Sequence, residues 1–127
     1  MIKIDKYKKH WNEMALNNEK RIEKLRQKAL KDAENLKEIL VNEFYVEKVV
    51  LFGSIMKKGQ FDEYSDIDLA VSGLSKNMYF AALGRLIMES EFNVDLKPIE
   101  DVSDLFKLRI AGGKVLYEKR KDSRSGI

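Results

Sequence analysis

Cysteine is absent from the 127 residues, so neither a disulfide framework nor a thiolate metal site is available. There is a single histidine, His10, which excludes a multi-histidine metal centre and leaves oxygen ligands for any metal. No apolar run approaches the ~20 residues that a membrane span needs. The start of the chain, Met1 to His10, is basic but has no apolar centre, and so does not read as a signal peptide. These absences predict a cytoplasmic protein with no membrane association. Proline occurs once and glycine seven times, too little for a linker or a low-complexity segment.

The balance of 44% hydrophobic and 35% charged residues is that of one folded domain. Net charge is +3, unevenly spread. Residues 1–44 hold 11 Lys/Arg against 8 Asp/Glu, residues 45–118 hold 9 against 12, and residues 119–127 hold 4 against 1. A mildly acidic centre between basic ends argues against a dedicated nucleic-acid binder, in spite of a pI near 9.0.

Three segments follow from this pattern: a helix within 1–44, a core over 45–118 and a flexible basic tail over 119–127. Ile22, Leu25, Ala29, Ala33, Leu36 and Leu40 recur at the α-helical period and predict a long amphipathic helix over 12–42. Trp11 and Met14 extend its stripe. The helix either covers one face of the domain or docks a partner.

In the core, Val46 to Phe52 is β-branched and aromatic without alternation, as in a strand buried on both faces. Asp66 to Val71 alternates cleanly, with Ile67, Leu69 and Val71 on one face and Asp66, Asp68 and Ala70 on the other. Asn77 is the expected N-cap of a helix running to about Ser90, with Phe80, Leu83, Ile87 and Met88 as its apolar face. Phe92 to Lys97 is a third strand, ended by Pro98. Ser103 starts a helix that stops at Gly112-Gly113, and Lys114 to Glu118 is a last strand.

Three features carry chemistry. Asp66 and Asp68, two residues apart on a strand, share a face, and carboxylates so placed repel unless a cation lies between them. Aspartate is a poor strand former, so two in one short strand need a reason. Asp95 repeats the arrangement on the third strand. Three oxygen ligands suit Mg²⁺ with its waters and substrate phosphates. Gly53-Ser54, at the end of the first strand, allows close approach of a ligand, and the amides that follow and the serine hydroxyl can hold phosphate oxygens.

Gly53-Ser54, then Asp66-Ile67-Asp68-Leu69, then Val94-Asp95-Leu96 resembles the minimal nucleotidyltransferases of the polymerase-beta superfamily. Gly113-Lys114-Val115-Leu116-Tyr117-Glu118 is similar to their closing strand. The resemblance spans roughly residues 44 to 118 and leaves out the long first helix. It implies an α+β fold, a small mixed β-sheet of the nucleotidyltransferase palm type flanked by helices, with those helices packed to one side.

It also implies that Asp66 and Asp68 are ligands of two Mg²⁺ ions, and that Asp95 binds the catalytic one and aids deprotonation of the attacking hydroxyl. Gly53 and Ser54 become the cradle of the β/γ-phosphates. The Arg that often follows Gly-Ser is replaced by Ile55, so Lys57 or Lys58 supplies the cation.

The implied reaction is transfer of AMP from ATP. Members of this size resemble antitoxins that form hetero-oligomers with a cognate HEPN-domain ribonuclease toxin and modify its tyrosine hydroxyl. Two other functions fit the same residues: an antitoxin that neutralises its partner by docking alone, and a nucleotidyltransferase of small molecules such as antibiotics.

Overall fold

The computed structural model describes residues 2–120, with side chains from residue 6. The tail reading over 119–127 therefore lies almost wholly outside the described residues.

The first helix, α1, runs over Ile2–Phe44, ten residues earlier than the periodicity predicts. Nothing in residues 1–44 stops it, because that segment holds neither proline nor glycine. Tyr45 ends it with a left-handed φ of 55°, and the Val46 amide donates back to the Leu40 carbonyl at 3.4 Å. The predicted stripe is the buried one. Ala29, Ala33, Leu36 and Leu40 are fully buried, while Ile22 and Leu25 are partly covered. Further toward the N-terminus the same face emerges into solvent, where Tyr7, Trp11 and Met14 are exposed.

Four strands follow: β1 (Lys48–Phe52), β2 (Asp66–Ser72), β3 (Asn93–Pro98) and β4 (Lys114–Glu118). They form one mixed sheet in the order β3-β2-β1-β4. β1 pairs antiparallel with β2 and β4, and β2 pairs parallel with β3. The parallel pair is joined by α2 (Tyr79–Glu89), in agreement with the need of parallel strands for a crossover.

Val49, Leu51, Ile67, Leu69, Val71 and Leu96 point to one face and form the main core with α1 and α2. The opposite face carries Val50, Phe52 and Ala70, which pack against Ile110 and Phe106 of α3 (Asp104–Ala111). Helices thus lie on both sides of the sheet, and the implied one-sided packing holds only for α1 and α2. α3 begins as predicted, with the Ser103 hydroxyl accepting from the Phe106 amide at 3.2 Å.

α2 differs from expectation in two ways. A 3-10 turn over Lys76–Met78 precedes it, so the helix starts after Met78 and Asn77 does not cap it. Its buried residues are Ala82 and Leu86, whereas Phe80, Ile87 and Met88 are exposed. Tyr79, Ala82, Leu83 and Leu86 follow the i, i+3, i+4, i+7 spacing, and Tyr79 Oη donates to the Leu96 carbonyl at 2.6 Å. Small Ala82 lets the helix approach the sheet along that stripe.

Candidate active site

The carboxylates lie on the sheet face that α3 covers only in part. Asp68 stands directly opposite Phe52 on one side and Asp95 on the other. Cross-strand partners share a face, so Asp68 and Asp95 face the same way. Asp66, at the start of β2, is exposed and points to the same side.

This crowding changes the chemistry of Asp68. Burial pushes its carboxyl up to about 6, and the negative charges of Asp95 and Asp66 add to the rise. Arg109 and Lys97 oppose it. Lys97 lies 3.6 Å from Asp95 Oδ2, two residues along the same strand and on the same face.

Gly53 fits around Asp68. Its φ of 85° suits glycine, and a Cβ added there would lie 2.1 Å from Asp68 Oδ2. The carboxylate thus occupies the place of a side chain, which holds it against the backbone that leads into Ser54. The turn over Ser54–Met56 follows at once, closed by Met56 N to Gly53 O and Lys57 N to Ser54 O, both 3.0 Å.

Beside the carboxylates is an open cleft of about 500 Å³. Gly53, Ser54 and Lys57 line one side, and Leu108, Arg109 and Gly113 the other. Gly113 permits the close approach of the turn between α3 and β4 to β1, since a Cβ there would lie 2.3 Å from the Leu51 carbonyl oxygen. Lys57 borders this cleft, while Lys58 is not among its lining residues and its charge bears on Glu23 of α1. Ile55, where an Arg was the family's usual residue, is fully buried.

The donor set suits a hard cation: carboxylate oxygens only, one of them raised in pKa by burial and then by its neighbours' charge, with a glycine that leaves room for it. Among the described residues no group of three or more His, Asp or Glu is drawn together closely enough to hold a metal as they stand. Asp68, Asp95 and Asp66 are the residues that would hold it.

Residues 34–122 match the nucleotidyltransferase family of polymerase beta. The chain belongs to that family. The match includes the whole sheet and all seven residues singled out from the sequence, and takes in the last turns of α1. No curated protein matches the chain.

Among solved structures, the chain is similar to one in the crystal structure of a toxin–antitoxin with AMP-PNP, at 25% identity and TM-score 0.58, covering 70% of this chain and 76% of that one. It is similar to a chain in the complex of a tri-AMPylated Shewanella oneidensis HEPN toxin with its MNT antitoxin, at 22% identity and TM-score 0.56, covering 76% and 78%. A third likeness, to the toxin–antitoxin MntA-HepT, has 22% identity and TM-score 0.52 and covers 76% and 77%. The last two bear on the fold. The nucleotidyltransferase fold and activity class of this chain follow from its family.

Two cations near the site, Lys97 and Arg109, carry no role in the expectations from sequence. Strand alternation alone puts Lys97 on the face of Asp95. Arg109 is not legible in this way, since its place at the cleft depends on α3 crossing the open face of the sheet.

Proposed function

We propose that the chain is a Mg²⁺-dependent nucleotidyltransferase that moves AMP from ATP to a hydroxyl of a partner protein, a tyrosine of a cognate HEPN-domain toxin, and so acts as the antitoxin of a pair. One observation carries the reading: Asp68 is packed against Gly53 and stands in register with Asp95, so the Gly53-Ser54 turn adjoins two of the three carboxylates. The toxin–antitoxin complexes among the similar structures, one with AMP-PNP and one with an AMPylated toxin, support the nucleotide and the partner.

In this reading Asp66, Asp68 and Asp95 hold the metal. A Mg²⁺ ion held there would supply the charge that neutralises the triphosphate and stabilises the leaving group. Gly53, Ser54 and Lys57 receive the β- and γ-phosphates on one wall of the cleft, and Arg109 adds a cation from the other. Asp95 orients the acceptor hydroxyl and draws off its proton. The acceptor oxygen bonds to the α-phosphorus, the bond from that phosphorus to the bridging oxygen breaks, and pyrophosphate departs. Lys58, on the α1 side of the turn, has no part in this.

The chain also exposes Tyr7, Trp11 and Met14 along one stripe of α1, which favours a docking contribution to neutralisation. Labelled ATP with Mg²⁺ and the protein of the neighbouring gene separates the two. Label on that protein, lost with EDTA and in Asp66→Asn, supports transfer. A stable complex without label, and full protection by Asp68→Asn, would leave docking as the function.

A further inference from the structure

The turn that carries Ser54 is held from behind by α1. Arg26 donates Nε to the Ile55 carbonyl at 2.7 Å. Its side chain is only 17% exposed, and its Nη1 pairs with Glu23 Oε1 at 3.1 Å. Gln27 Nε2 donates to the same Glu23 oxygen at 2.8 Å. The guanidinium is thus fixed in orientation before it meets the turn. The Ile55 side chain is wholly buried in the main core, so the turn is gripped at one residue by an apolar anchor and a charged hydrogen bond.

The Gly53 and Ser54 carbonyls are used in closing the turn itself, and that of Lys57 accepts from the Gln60 amide just after it. Ile55 O is the one that reaches out to another element. Arg26 approaches the turn through that carbonyl from α1, whereas Lys57 and Ser54 line the cleft.

We propose that Arg26 is a positioning residue for nucleotide binding: through the Ile55 carbonyl it fixes the Gly53–Lys57 backbone against the triphosphate, so that α1 is a working part of the active site. This rests on the reading of that turn as the phosphate cradle. Arg26 does not touch substrate, and its effect passes through the backbone it holds. A helix that only covered the sheet would need the apolar stripe alone, and no charged side chain directed at the turn.

The test compares Arg26→Met, which keeps the stem and loses the donors, with Arg26→Lys, which keeps one. Three readouts are taken: amide exchange at Met56 and Lys57, KM for ATP against kcat, and Tm. In Arg26→Met the two amides exchange faster and KM rises about tenfold, the scale of one charged hydrogen bond, while kcat changes by less than about threefold. Arg26→Lys recovers most of the affinity. A fall in Tm with unchanged KM and unchanged exchange at the turn would overturn the proposal and reduce Arg26 to helix docking. If the unaltered chain neither binds ATP nor transfers label, the phosphate-cradle reading fails by itself. Unchanged exchange at Met56 and Lys57 in Arg26→Met would then reject the Arg26 contact separately.

Discussion

Gly53 has φ 85° and ψ −156°, a region that residues with a Cβ avoid, and Asp68 Oδ2 stands where its side chain would begin. Gly53→Ala meets both obstacles together. It should cost about 2 kcal/mol of stability, from backbone strain and the displaced carboxylate, and should remove nucleotide binding in the fraction that stays folded. Urea unfolding and ATP titration measure the two parts. Gly59, with a φ of 83° but nothing within 4 Å of an added Cβ, is the control. Gly59→Ala should show only the strain and keep nucleotide binding. Arg109 is tested in the same way. It is exposed, so Arg109→Ala should change stability by less than about 0.5 kcal/mol, and should weaken ATP binding by roughly tenfold if it meets the triphosphate. The acidic residues could be read from the sequence because strand alternation is local: positions i and i+2 share a face whatever the rest of the chain does. Arg109 and Arg26 could not, because each acts across elements that only packing brings together.

At the scale of elements, α1 and α2 show where periodicity decides and where it does not. In α1 the apolar residues from Ile22 to Leu40 form a single stripe between charged flanks, so one reading was open and it is the buried one. α2, Tyr79-Phe80-Ala81-Ala82-Leu83-Gly84-Arg85-Leu86-Ile87-Met88-Glu89, is apolar nearly all round, and two stripes compete. Bulk favoured Phe80, Ile87 and Met88, yet packing selected the face with small Ala82, where the helix can settle on β3 and Tyr79 can reach the Leu96 carbonyl. Arg85 then bridges to Glu43 of α1 through both carboxylate oxygens, each at 3.1 Å. Substitution separates the stripes. Leu86→Ala should destabilise by about 2–4 kcal/mol, and Phe80→Ser, at a position 82% exposed, by less than about 0.5 kcal/mol. A large loss for Phe80→Ser would mean that the bulky stripe is buried after all. Arg85→Ala should leave the midpoint of unfolding nearly unchanged, since the pair lies at the surface.

For the molecule as a whole, the site holds a half-buried carboxylate beside two others, a cost that a bound cation can relieve. Burial, and after it the charges of Asp95 and Asp66, pushes the Asp68 carboxyl up to about 6, above the ordinary aspartate range. An acid raised in this way binds its proton more tightly when folded, so stability falls as pH rises from about 4 to about 6 and this contribution changes no further above that. In EDTA, therefore, Asp68→Asn should raise the midpoint of unfolding at pH 7.5, and its advantage should vanish toward pH 4. Mg²⁺ with a non-hydrolysable ATP analogue reverses the sign. Binding requires the ionised carboxylate, so protons compete with the metal, and stabilisation by ligand should grow as pH rises through 6. At a free ligand concentration of about one hundred times Kd it should reach about 2.7 kcal/mol, and it should be absent with EDTA or in Asp68→Asn. Equal stabilisation at pH 5 and pH 8 would mean that the nucleotide binds without using the carboxylates. The cleft between Lys57 and Arg109 would then be an anion site only, and the catalytic reading of Asp66, Asp68 and Asp95 would fall with it.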